Sequence, residues 1–201
     1  MHKKVYLFIL LFMTTLFVGC GGGGSSSTSI VQGWHNQGKN CLACHNFDLA
    51  QDKHLFLGGT LYKDKNVTNQ DDLNSVCKGD LVVLLENNNT VEYNSTNYVD
   101  ANSKGYLGAG NIFILSRMLT SVTPSIGYTI KITDKNGTVL AKSGATHKFS
   151  NAQYDLNNLI DINNRISCNA CHVKGGGAYP LQNPLYVNDP TAKINLANLC
   201  Q

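Results

Sequence analysis

Apolar residues along this chain fall into one long leading run and then many short ones. Residues 5–18 are almost wholly apolar, broken only by Thr14 and Thr15. That run is short for a membrane span and, behind His2-Lys3-Lys4, suits the core of an export signal over residues 1–19. Gly21 to Ser29 carry nothing to bury and predict a flexible tether. Between residues 55 and 145 the pattern becomes strand-like. Leu55 to Tyr62 holds a Gly58-Gly59 pair, which predicts a bulge or a close backbone approach. Asp80 to Glu86 is a buried-strand run, and Thr90 to Tyr93 its hairpin partner across Asn87-Asn88-Asn89. Asn111 to Ser116 and Gly127 to Thr133 are two more strands. Asn136-Gly137 turns the second of these into Thr138-Val139-Leu140, a strong short hairpin signal.

The fold class expected is therefore mainly β. A small antiparallel β-sandwich of about six strands occupies 55–145, with short helices outside it. Gln153 to Ile166 places Leu156, Leu159, Ile160 and Ile166 at roughly helical spacing, predicting a helix or turn that leads into Cys168. Thr191 to Leu199 predicts a last helical turn. The organisation expected is a signal over 1–19, Cys20 and a tether over 20–30, an N-terminal segment over 31–54, the sandwich, and a C-terminal segment over 146–201.

Composition narrows the picture modestly. The chain has 201 residues, 42% hydrophobic and 14% charged, enough for one domain with a core. Its net charge is +3, and loss of Lys3 and Lys4 with the signal leaves 14 basic against 13 acidic residues. No basic stripe or acidic run is present, so nucleic acid is not an expected partner.

The chemistry lies in the cysteines. Cys41-Leu42-Ala43-Cys44-His45 and Cys168-Asn169-Ala170-Cys171-His172 are two copies of C-x-x-C-H, the attachment motif for haem c. Two thiols three residues apart can add to the two vinyl groups of one porphyrin, and the adjoining His reaches the iron. Two covalent haems are therefore expected, on Cys41, Cys44, Cys168 and Cys171, with His45 and His172 as iron ligands. A zinc site or a redox dithiol is the alternative; the same trailing His in both copies argues against it.

For the remaining axial positions the free histidines beyond the signal are His35, His54 and His147, three for two sites. His147 is favoured because it ends the last strand facing the second motif; His35 and His54 compete for the other place. Met118 reads more simply as core. Cys77 and Cys200 are left over, and in an oxidising compartment they are expected to pair; free thiols or a Cys ligand are the alternatives. Arg117 and Arg165 are candidates for haem propionates, or else solvated surface.

Leu16-Phe17-Val18-Gly19-Cys20 resembles the lipobox of bacterial lipoproteins, although Phe17 stands where that family prefers Leu. Together with both C-x-x-C-H motifs and the poly-Gly tether, it makes the chain resemble lipoprotein dihaem and multihaem c-type cytochromes of Gram-negative bacteria. In one such group a Gly-Gly-Thr-hydrophobic-Tyr strand follows the first motif, and a β-sandwich leads to a Cys-Asn-x-Cys-His motif. Here those are Gly58 to Tyr62 and Cys168 to His172, within about 35–180. The resemblance implies electron transfer by a lipoprotein anchored to the outer membrane through Cys20, periplasmic or at the cell surface. Its partners would be other cytochromes or a terminal reductase or oxidase. Stacking of haems between neighbouring copies into a chain is left open. The rivals are a peroxidase-like haem enzyme with one open iron, and a redox sensor or binding module.

Overall fold

A computed structural model describes residues 37–79, 81–95, 110–119, 122–123, 126–159, 161, 164–172 and 183–200. The signal, Cys20, the tether and His35 lie outside the described residues, as does the side chain of Met118.

Helix α1 (Cys41–Phe47) starts where Asn40 accepts a hydrogen bond from the Ala43 N–H at 3.3 Å. After a 3-10 turn at Gln51–Lys53 comes β1 (Leu55–Thr60). Strands β2 (Leu81–Asn87) and β3 (Thr90–Asn94) form a hairpin. Its turn residues Asn88 and Asn89 hold φ of 48° and 63°, a left-handed conformation that Asn tolerates better than most residues. Then follow β4 (Asn111–Leu115), β5 (Gly127–Asp134) and β6 (Val139–Lys142). Two short strands, β7 (His147–Lys148) and β8 (Ile166–Ser167), precede α2 (Cys168–Cys171). Helices α3 (Pro190–Ile194) and α4 (Leu196–Leu199) close the chain.

The fold is mainly β. One sheet has the order β4-β1-β8; the other runs β3-β2-β5-β6, with β7 also on β5. Their facing sides share one core, in which Phe56, Ile112 and Ile114 meet Leu81, Val83, Leu85, Ile130 and Ile132. Phe56 stacks on Phe149 with ring centroids 4.9 Å apart. A smaller cluster of Leu42, Leu55 and Tyr154 lies against Phe113 and Leu115, so α1 covers the outer face of the first sheet. Every residue of β1 is consequently buried.

One departure from the sequence reading and one outcome it left open matter for the site. The sandwich does not stop at 145, because β8 pairs with β1 in parallel (Leu57↔Ile166, Gly58↔Ser167) and so builds the approach to the second motif into the first sheet. Of the helix or turn expected ahead of Cys168, the described residues of 153–165 form turns. Asn164 explains this: its amide accepts from Asp155 N–H and donates to the carbonyls of Asp155 and Asn158. Such side chains offer the backbone an alternative to helical bonds. Cys77 and Cys200 are joined by a disulfide, which ties the lead-in to β2 to the end of α4.

Candidate haem-attachment sites

Both C-x-x-C-H motifs are helical and both rest on the same strand. A Cβ placed on Gly58 would stand 2.9 Å from Cys41 Cβ and 3.0 Å from Leu42 Cδ1. One placed on Gly59 would stand 2.5 Å from Cys168 Cβ and 2.9 Å from its sulfur. Successive strand residues point to opposite faces, so the two motifs clasp β1 from its two sides. Consecutive Cα atoms are about 3.8 Å apart, which limits the separation of the Cys41 and Cys168 Cβ atoms to about 12 Å.

Side-chain amides lock this arrangement. Asn169, inside the second motif, accepts from Thr60 N–H at 3.0 Å and donates to Lys39 O at 2.8 Å, just ahead of the first motif. Asn40 caps α1 and accepts from Ser167 Oγ at 2.7 Å, across 127 residues of sequence. Its amide also donates to the buried Tyr154 hydroxyl at 2.9 Å. Asn46 holds α1 to the start of β1, accepting from Leu55 N–H at 2.7 Å and donating to Leu55 O at 3.0 Å. The sequence reading assigned no role to Asn40, Asn46 or Tyr154. Only Asn40, an Asn directly ahead of a helical segment, carries a recognisable signal.

The two motif histidines are set alike. His45 Nδ1 lies 2.9 Å from Lys53 O, and His172 Nδ1 lies 2.9 Å from Asn183 O. A ring N–H donated to a carbonyl fixes the tautomer and orients the other nitrogen, Nε2, as ligand. Burial pushes the Cys41 thiol up to about 11. It pushes Cys168 up to about 12, with the neighbouring Cys41 and Cys171 adding to the effect, and it raises Cys171 as well. Redox dithiols work through lowered thiol pKa values, so these environments do not favour that chemistry.

A cavity of about 600 Å³ opens against the second motif, within the range of small-molecule and cofactor sites. Cys168, Cys171 and His172 line it, with His147, Arg165, Leu159, Leu185 and Tyr186 among its other walls. His147 is half-buried on β7, and its Nδ1 is buried with no hydrogen-bond partner among the described residues. Burial, and then the nearby His172, hold its pKa below the ordinary histidine value, which favours the neutral ring with one nitrogen lone pair open to a metal. His54 is differently placed: its Nε2 lies 3.2 Å from Leu49 O, within its own loop.

These features fit haem at the second site. The thiol pair, a fixed proximal imidazole, an orphaned second imidazole and a largely apolar cavity occur together there. Among the described residues no three of His, Cys, Asp and Glu gather closely enough to hold a metal ion by themselves. Zinc would need three or four such ligands; haem iron takes four from its porphyrin. No helix among the described residues is long and apolar enough to cross a membrane. Comparison with known protein families, curated proteins and solved structures finds no match.

Proposed function

We propose that this chain is a dihaem c-type cytochrome that carries electrons, held at the outer membrane by a lipid on Cys20. The observation that carries this reading is the seating of Cys41 and Cys168 on the consecutive glycines Gly58 and Gly59. Two attachment motifs distant in sequence are held at a set short spacing, which an electron carrier needs. Bound haem supplies a one-electron ferric–ferrous couple. The chain's own residues do the rest. Cys41, Cys44, Cys168 and Cys171 tether the groups covalently, and His45 and His172 present Nε2 to iron. His147 offers a second imidazole across the cavity, and β1 sets the spacing between the sites. The resemblance of the motifs, tether and lipobox-like Cys20 to lipoprotein cytochromes adds to the reading. The partners would be other cytochromes or a terminal reductase or oxidase.

The test is covalent haem content. Acid–acetone extraction should leave the colour on the polypeptide, and the intact mass should show two haem additions. One haem or bound zinc overturns the proposal. Cys20→Ser should move the protein from the membrane to the soluble fraction; an unchanged distribution removes the anchor from the reading.

A second reading, a haem enzyme with one open iron, draws on His54, whose ring is turned to Leu49 O. Stoichiometric carbon monoxide binding by the unmutated reduced protein, with peroxidase turnover, would favour it over the carrier.

A further inference from the structure

The two imidazoles of the second site are carried by different sheets. His172 follows α2, which continues β8 of the first sheet, whereas His147 lies on β7, paired with β5 of the second. Residues 183–189 run from one sheet to the other along the cavity. The run begins at His172, whose Nδ1 lies 2.9 Å from Asn183 O. It is then fixed just beyond β1, where Tyr62 N–H donates to Leu185 O and Val187 N–H to Tyr62 O, each at 2.8 Å. Val187 itself is buried in the shared core. Next the run is fixed to β6. The N–H groups of Asn188 and Asp189 both donate to Leu140 O at 3.1 Å. The Asn188 amide adds a matched pair, accepting from Lys142 N–H at 3.0 Å and donating to Lys142 O at 2.8 Å. Lys142 ends β6, and the chain leaves it for His147. Leu185, Tyr186 and Asn188 line the cavity.

We infer that residues 183–189 are the spacer that sets the gap between His147 and His172, with Asn188 as its positioning residue. This rests on the proposed function, in which both imidazoles face one iron. Two imidazoles on one iron stand at one separation. The sheets meet through apolar side chains, and apolar burial has no preferred direction. Hydrogen bonds are directional and of set length. A segment bonded to Tyr62 on one side, and to Leu140 and Lys142 on the other, therefore holds the sheets at one distance where the cavity opens. The first site has a different support. His45 Nδ1 meets Lys53 O, eight residues along its own loop. Loosening residues 183–189 thus acts on the second haem and leaves the first as it is.

The experiment compares the loaded full chain, unmutated and as Asn188→Ala, Val187→Ala and His147→Ala. Carbon monoxide binding to the reduced form and magnetic circular dichroism are the readouts, with haem content by mass and urea unfolding in parallel. Asn188 is exposed, and its replacement keeps both backbone bonds to Leu140, so Asn188→Ala should fold. It should raise the apparent carbon monoxide affinity of one haem about fivefold, the size of one net hydrogen bond, because a distal imidazole held less well competes less well. His147→Ala should act on that same haem, as should Val187→Ala, which loosens the segment from the core side. In the haem-free chain, hydrogen exchange at Lys142 N–H should quicken in Asn188→Ala by a similar factor. Lower unfolding stability with carbon monoxide affinity unchanged in Asn188→Ala and Val187→Ala makes the segment structural only and overturns the inference. So does an equal rise at both haems, or a second haem indifferent to His147→Ala. Those results leave two covalent haems in place and the proposed function standing. An unmutated chain without covalent haem overturns the proposed function, and this inference with it.

Discussion

Gly59 and Cys168 are in such close contact that the smallest side chain on Gly59 would press against the Cys168 Cβ at 2.5 Å. Real Cβ atoms do not approach so closely, so a strand and the first residue of an attachment motif are fitted through the absence of one carbon. Gly59→Ala should displace α2, at an overpacking cost of about 1–3 kcal/mol. Chemical denaturation should show that loss, and mass spectrometry should show partial loss of haem from the Cys168 peptide and full retention on the Cys41 peptide. Equal loss at both peptides would mean that β1 has unfolded as a whole.

Asn169 should matter to the protein without touching iron. Asn169→Ala leaves Thr60 N–H buried and unpaired and removes the bond to Lys39 O. An unsatisfied buried donor costs about 1–3 kcal/mol. The midpoint of urea unfolding should fall accordingly, while the optical spectrum of each loaded haem stays unchanged.

The Cys77–Cys200 bond closes a loop of 123 residues. Replacing both residues with Ser should destabilise the protein by about 2–5 kcal/mol. Non-reducing peptide mapping should recover the linked pair, and two alkylatable thiols in the native, unreduced protein would contradict it.

His147 yields a prediction in each state of the protein. In the loaded protein, His147→Ala should turn one haem high-spin and open it to carbon monoxide, a change visible in low-temperature magnetic circular dichroism. In the haem-free protein its depressed pKa is a stability term. Above its unfolded value of 6.5, His147 is neutral in both states. Below it, the unfolded chain takes up a proton that the folded ring resists, so the stability is lost as pH falls through the folded pKa. Unfolding of the haem-free protein should therefore grow easier below about pH 6.5, and His147→Ala should reduce that slope. An identical slope in the variant would remove His147 as its source.

Much of this protein is local and was legible along the chain. Leu81 to Leu85, Ile112 to Leu115 and Tyr128 to Ile132 are short apolar runs between turn residues, and each became a strand close to its expected bounds. Asn136-Gly137 lies in the turn from β5 to β6, where Gly137 takes a φ of 87° and its N–H donates to Asp134 O at 3.1 Å. The two C-x-x-C-H motifs are visible as chemistry because their spacing is contained within five residues. The Leu and Ile spacing of segment 153–165 left helix and turn both open, and its Asn and Asp side chains draw the backbone into turns.

The sequence by itself determined that this chain is mainly β and carries two C-x-x-C-H motifs, because periodicity and spacing act within a few residues. Only the tertiary structure decided that the motifs clasp opposite faces of β1, that β8 joins β1 in parallel, and that His147 shares a cavity with His172. The reason is physical. A glycine pair announces room for a close approach but not what approaches, since it has no side chain to specify a partner. The groups that chose the partners are Asn40 with Ser167 and Asn169 with Thr60, whose bonds span 127 and 109 residues and exist only once both sheets have formed.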